Sequence, residues 1–515
     1  MAIASESLDV KGKSFAGHPI GLSTLFFTEM WERFSYYGIR PLLVLFMSAA
    51  IMDGGFGFER EQASAIVGIY AACVYLASLP GGWIADRLLG LQKAILYGAI
   101  CISAGHISIG ISAFLGGKVT FFLGLVLIVI GTGLLKPNIS AIVGDLYPEG
   151  GSRRDAGFSI FYMGINLGAL LGQTITGFLG EKIGWHWGFG AAGVAMLLGL
   201  FVFATRRKST LGSIGVEPTK HPDPQVQART EKIIKISIAV FIVLLALVFI
   251  LASTGTITIN AKAVAQSMTY ILVGVVVLYF LYIFTLGSIE TPLTVDEKKR
   301  ILVIAILFMA AAVFWSAFEQ APTSLNLFAK DFTQREVFGF EIPATWFQSI
   351  NPLLIILLAP VFAYIWTWLG QRNMDLSSPA KFALGLFFAA IGFLFMIFAA
   401  NEVLTSNGQL KVSMFWLVAS YFFQTVGELC LSPVGLSSMT KLSPRRFVGQ
   451  MMGIWFLAAA VGNLIGGLVG GRVDPEKLDQ MPTLFTYTTL SLLIATVVLA
   501  ALIIPIRRMM KDIDV

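Results

Sequence analysis

Charge, histidine and cysteine are all scarce in this chain. Only 13% of its 515 residues are Asp, Glu, Lys or Arg, against roughly 25% in an ordinary soluble domain. The three cysteines, Cys73, Cys101 and Cys430, lie inside apolar segments. They form no disulfide framework and read as small core residues. The four histidines, His18, His106, His186 and His221, lack metal-ligand spacing. Only His106 falls within an apolar run, where a packed, hydrogen-bonded role fits it. No phosphate loop and no nucleophile–base pair is visible, which argues against an enzyme and against a bound cofactor. A formal net charge of +6 is too modest to suggest nucleic acid. Residues 1–19 are polar and have no apolar signal-peptide core, so the first apolar segment itself must direct insertion.

Hydrophobic residues, by contrast, make up 56% of the chain, and mean hydropathy is +0.79. Apolar runs of ~20 residues, the length that spans a bilayer, recur from end to end. They predict an all-α polytopic membrane protein with 14 transmembrane helices. Six fall at 20–50, 62–86, 92–115, 119–143, 156–180 and 187–205, two at 232–253 and 268–287, and six at 300–322, 344–370, 380–400, 412–440, 446–471 and 482–506. The expected organisation is an N-terminal tail (1–19), a six-helix bundle (20–205), a linker with two extra helices (206–299), a second six-helix bundle (300–506) and a short tail (507–515). Arg87, Lys93, Arg153, Arg154, Arg206, Arg207 and Lys208 follow even-numbered helices, which places both termini in the cytoplasm by the positive-inside rule.

Two patterns stand out within the apolar background. Glu29, Glu32, Arg33, Tyr36, Tyr37 and Arg40 share one face of the first helix, a stripe roughly 16 Å long at ~1.5 Å per residue. Ionisable groups at membrane depth are costly and by default mark a substrate or proton path. The second pattern is a repeat. Gly131-Thr-Gly-Leu-Leu-Lys136-Pro137 corresponds to Gly427-Glu428-Leu-Cys-Leu-Ser432-Pro433, and Arg153-Arg154-Asp-Ala-Gly157 to Arg445-Arg446-Phe-Val-Gly449. Helices 4 and 5 thus recur as helices 10 and 11 in the same orientation, as in transporters whose halves rock about a central site.

The loop after helix 2, Gly82-Trp-Ile-Ala-Asp86-Arg87-Leu-Leu-Gly90, resembles the signature of the major facilitator superfamily. Three further stretches resemble the proton-dependent oligopeptide transporter family: Glu29-x-x-Glu32-Arg33-Phe34-x-Tyr36-Tyr37-Gly38, Phe161-Tyr162-Met-Gly-Ile-Asn166-Leu-Gly168 and Gly427-Glu428-Leu-Cys-Leu-Ser432-Pro433. The two inserted helices are a feature of its prokaryotic members. What the resemblance implies is a bacterial di- and tripeptide/proton symporter of the inner membrane, with two six-helix bundles, the proton as coupling ion and no obligate protein partner. Helix 2 lacks the histidine of animal members, so coupling here rests on carboxylates. By the same resemblance Arg40 and Lys136 hold the substrate carboxylate, Glu428 the ammonium, and Asn166 with Asn351 the peptide unit.

The residue chemistry agrees independently. A short peptide is a zwitterion, whose carboxylate needs cations, whose ammonium needs an anion and whose amides need carboxamide-like partners. The first half offers Arg33, Arg40 and Lys136, and the second Glu319 and Glu428. Tyr36, Tyr37, Tyr75, Trp315 and Trp455 are candidate walls for the substrate's side chains. Glu319 is the expected principal proton site, held ionised by Lys136 or Arg40 until a substrate carboxylate competes for the cation. Glu29, Glu32 and Arg33 form a second proton site. Structural alternatives stand beside these readings: an ion-pair anchor for helix 1, interhelical hydrogen bonds for the asparagines and ordinary packing for the aromatics. A symporter of the same superfamily for nitrate or a drug-like molecule, a channel and a non-transporting receptor are the functional alternatives.

Overall fold

A computed structural model of the chain describes residues 14–112, 117–149, 151–219, 222–285, 293–372, 374, 376–444 and 447–509. Arg445 and Arg446 of the second repeat, His221, and parts of both expected tails and of the connector before residue 300 lie outside the described residues.

Fourteen long helices follow one another along the described chain. They are α1 (Gly21–Ser48), α2 (Arg60–Ile84), α3 (Leu91–Ile111), α4 (Lys118–Asp145), α5 (Gly151–Phe178), α6 (Trp185–Thr210), α7 (Pro224–Ser253) and α8 (Ala261–Phe284). The remainder begin with α9 (Val295–Phe318), which resumes as Asn326–Phe332 after a wide turn at Ala321–Leu325. Then come α10 (Ile350–Gln371), α11 (Ser378–Thr405), α12 (Phe415–Leu442), α13 (Val448–Gly470) and α14 (Gln480–Met509). The ends carry recognisable stops. Asp223 caps α7 by accepting from Gln225 N at 2.8 Å, with Pro224 in the first turn. Thr294 and Glu297 form a reciprocal capping box at the start of α9.

Among the described residues, twelve helices are long and apolar enough to cross a bilayer. The two long helices outside that set are α1 and α12, which carry Glu29, Glu32, Arg33 and Arg40, and Glu428, respectively. Their polarity is concentrated where the sequence pattern places function.

The chain packs as two compact units, residues 1–42 with 73–260 and residues 43–72 with 261–515. The division runs through α2 and close to the C-terminal end of α1. In the first unit, α1 and α5 approach to backbone contact. A Cβ on Gly168 would stand 2.2 Å from Met30 O, and one on Gly172 2.3 Å from Phe34 O. Thr176 Oγ1 donates to Gly38 O across the same seam at 2.7 Å. Small residues allow this close van der Waals packing where no hydrophobic effect drives helices together. The α2–α4 contact is equally close. Pro137 supplies no N–H to the carbonyl of Gly133, and that carbonyl lies 2.0 Å from where a Cβ on Gly81 would be.

In the second unit, α9 breaks beside Glu319, a residue the sequence marks as a candidate proton site. Pro322 cannot donate to the carbonyl of Phe318, so the helix stops and Glu319 and Gln320 occupy the break. The turn is re-satisfied locally, with Leu325 N donating to Gln320 O at 3.2 Å and Gln320 Nε2 to Thr488 Oγ1 at 3.1 Å. The first half of α2 belongs here through Arg60, which donates to Asp331 Oδ2 at 2.5 Å and to Val473 O at 3.0 Å.

If α1 is seated by glycine contacts, Gly168→Ala and Gly172→Ala should each destabilise the purified protein by about 1–3 kcal/mol. Gly190→Ala, where nothing lies within 4 Å of the new Cβ, should not. Equal melting temperatures for the three variants would contradict the packing described.

Candidate functional site

The α1 stripe closes on itself. Arg33 Nε lies 3.1 Å from Glu29 Oε1 and bonds the carboxylate of Glu32, so one guanidinium serves two carboxylates a turn apart. Relative exposure is 2% for Glu29, 0% for Glu32 and 2% for Arg33; at such burial an uncompensated charge would cost several kcal/mol. A third partner comes from α4, where Thr132 Oγ1 donates to Glu32 Oε1 at 3.3 Å. The guanidinium carbon also lies 5.2 Å from the ring centre of Tyr36 and 5.9 Å from that of Tyr37, within cation–π range. Five of the six stripe residues therefore form one cluster, and Arg40 continues it one turn further along the helix, also buried.

Lys136 projects from mid-α4 over the face of Tyr75 on α2, with Nζ 4.3 Å from the ring centre. It is half-buried and close enough for its charge to act on Glu29. The first unit thus sets Arg33 and Lys136 near two carboxylates, with Arg40 further along α1. Asn166 is buried on α5, and its Nδ2 donates to Tyr162 O on its own helix at 3.0 Å. One of its two amide N–H groups is committed locally, which leaves the second N–H and the side-chain oxygen to meet another molecule.

In the second unit Asn351, at the start of α10, donates to Glu428 Oε2 at 2.9 Å and to Thr425 Oγ1 at 3.0 Å. Thr425 in turn donates to Tyr421 O at 2.7 Å, so the amide is held from behind. Glu428 is half-buried and makes no ion pair among the described residues. Glu319, buried in the break of α9, lies close enough to repel it electrostatically. Trp315, one turn earlier, packs edge-on between Phe314 and Phe318, with ring centres 5.3 and 5.4 Å away. The α13 glycines permit this: a Cβ on Gly462 would stand 2.5 Å from Trp315 Cβ, and one on Gly466 3.0 Å from Glu319 O. Trp455, also on α13, covers Gly435 of α12 and packs against Phe382 at 6.2 Å.

Thr132 and Thr425 are partners that the sequence reading passed over. A signal for Thr132 was present, because in the repeat it occupies the position of Glu428. Both equivalent positions hold a polar group turned to another helix, and Lys136 has Ser432 as its counterpart. Thr425 carried no such mark.

The sequence profile of the POT family matches residues 92–490. The chain belongs to that family. It is 49% identical over 506 residues to the peptide transporter YePEPT of Yersinia enterocolitica, covering 97% of both chains. To a di-/tripeptide transporter of Lactococcus lactis subsp. cremoris it is 37% identical over 515 residues, covering 99% of this chain and 100% of the other. The crystal structure of a peptide transporter POT in complex with sulfate superposes with a TM-score of 0.87 at 42% identity, over 97% of each chain. Membership in this family makes the protein an integral membrane protein with the major-facilitator-type fold that the motif resemblance implied, and its relatives are transporters rather than enzymes.

The charge cluster of α1 yields a direct test. Arg33→Met should leave two buried carboxylates without their cation and destabilise the protein by about 3–5 kcal/mol. The triple variant Glu29→Gln, Glu32→Gln, Arg33→Met should recover much of that loss, as seen in thermal melts in detergent. A triple variant no more stable than the single one would refute compensation.

Proposed function

We propose that the protein is a proton-coupled symporter that imports di- and tripeptides by alternating access across a bacterial inner membrane, with both termini in the cytoplasm. One observation carries the substrate assignment: Glu428, without a cation of its own, is oriented by a neutral amide that is itself held in place. A carboxylate so arranged is prepared for an incoming ammonium group. The concentration of basic side chains in the first unit supplies the complementary chemistry, with Arg40 and Lys136 for the peptide carboxylate. Asn166, through its carbonyl oxygen, and Asn351 suit the peptide unit, while Tyr36, Tyr37, Tyr75, Trp315 and Trp455 bound the space for side chains. The names of the relatives point to the same substrate class.

Charge compensation within each unit couples the proton. Glu319 and Glu428 act on each other as like charges, so a peptide ammonium at Glu428 and a proton on Glu319 each relieve their repulsion. In the first unit Glu29 depends partly on Lys136. A substrate carboxylate at Lys136 draws that charge away, and a proton on Glu29 restores neutrality to the cluster with Glu32 and Arg33. Substrate and proton therefore arrive together with the buried carboxylates matched by cations or protons, a form less costly to enclose during the conformational change than uncompensated charge. A proton is the only coupling agent required; no cofactor enters the scheme.

In reconstituted vesicles, Glu319→Gln should abolish peptide accumulation driven by a pH gradient while leaving exchange of labelled for unlabelled peptide. Accumulation at the normal level would sink the coupling role. For the substrate ends, Glu428→Gln should weaken competition by a free dipeptide at least tenfold yet hardly alter the weak competition by its N-acetylated form. Lys136→Gln should behave in the same way toward the C-amidated form. Variants that weaken free and blocked peptides by equal factors would show that the assigned ends are wrong.

A further inference from the structure

The second unit contains an apolar groove that the transport scheme does not use. Helix α8 is fixed to α13 by a hydrogen bond from the Tyr279 hydroxyl to Gln450. At its other end Lys262 pairs with Glu61 at 2.5 Å. Between α8, α9 and α13 remains a cavity of about 480 Å³, with Val277, Phe280 and Phe284 on one side and Met309, Ala312 and Ile465 on the other. Ser316 is its single polar lining residue, and its hydroxyl is already engaged with Val313 O at 2.8 Å. All three helices belong to the bilayer-spanning set. Apolar walls without partner atoms forfeit dispersion contacts, and hydrocarbon is the medium around such helices.

One end of the groove carries charge. Along α9, Lys298 precedes the lining residues Ala305, Met309 and Ser316 by seven, eleven and eighteen positions, spacings that place it on their helix face about two turns beyond Ala305. Lys298 is exposed, whereas its neighbour Lys299 pairs with Asp296 at 2.9 Å. A long apolar slot with a basic side chain about two turns beyond its end, near the helix terminus, matches an acyl chain joined to an anionic headgroup.

We propose that this groove binds an anionic phospholipid, with one acyl chain between α8, α9 and α13 and the phosphate at Lys298. The consequence for transport follows from shared walls. Ser316 and Ile465 line the groove, while the adjacent positions Trp315 and Gly466 belong to the seam that seats Glu319. A chain filling the slot holds α8 against α9 and α13, and thereby steadies the packing behind Trp315 and Glu319.

The test is thermal melting of the full-length protein in detergent, titrated with dioleoyl phosphatidylglycerol or dioleoyl phosphatidylcholine. Native mass spectrometry would count the retained lipid. The natural protein should gain several degrees with phosphatidylglycerol and markedly less with phosphatidylcholine, because a ligand that binds only the folded state stabilises it by mass action. Lys298→Gln should bring the two lipids level. Ala312→Trp, or Val277→Trp as a second groove-filling change, should remove the response to both and lower the lipid count. Equal responses of the natural protein to both lipids would overturn the headgroup contact. Undiminished lipid responses in both tryptophan variants would overturn the groove itself, and so would a tryptophan variant that dissociates an oligomer on gel filtration, since the occupant would then be a second copy of the chain.

Discussion

A charge carried into hydrocarbon must be compensated by the protein, and the rest of this structure follows from that constraint. Arg33 lies between Glu29 and Glu32 with scarcely any exposed surface. Such a cluster is stable only where helices come close enough to exclude lipid and to supply further donors. The glycines of α5 bring it against α1, the Gly81–Gly133 contact sets α2 beside α4, and α4 delivers Thr132 to the free side of Glu32. Glycine here permits the close approach, and the close approach makes the buried charge tolerable.

The second unit solves a related problem differently. One of its carboxylates, Glu428, is held by a neutral donor and makes no ion pair among the described residues. Asn351 and Thr425 orient Glu428, while Glu319 sits where Pro322 interrupts α9. A carboxylate fully paired within the protein has no need of substrate. One that is oriented but makes no ion pair among the described residues, as with Glu428, would gain from an ammonium.

Much of this was legible beforehand, for physical reasons. Hydrocarbon thickness fixes the length of an apolar run, so α2 through α6 fall close to their predicted positions, while α7 and α8 begin before theirs, at Pro224 and Ala261; helical periodicity alone puts Glu29, Glu32 and Arg33 on one face. The break in α9 was less legible. The apolar pattern predicted one helix over 300–322, whereas the first segment ends at Phe318 and a second continues to Phe332. A proline can kink a membrane helix or end it, and only neighbours such as Thr488 and Gly466, which satisfy the opened turn, decide which. Asn166 was legible by residue type alone, and the structure adds that one of its amide N–H groups is held by Tyr162 O, one turn back.

The sequence by itself determined the membrane class, the order of the helices, the repeat and the kinds of charge available, because these depend on composition and local period. Tertiary structure decided which charges meet. Asn351 and Glu428 are 77 residues apart, and Glu32 and Thr132 are 100 apart. Nothing in a local pattern marks such pairs. It also decided that α2 divides between two units, with Arg60 bound to Asp331 and Val473. Hydrophobicity is a property each residue carries with it, whereas a hydrogen bond belongs to a pair, and the pair exists only once the helices have packed.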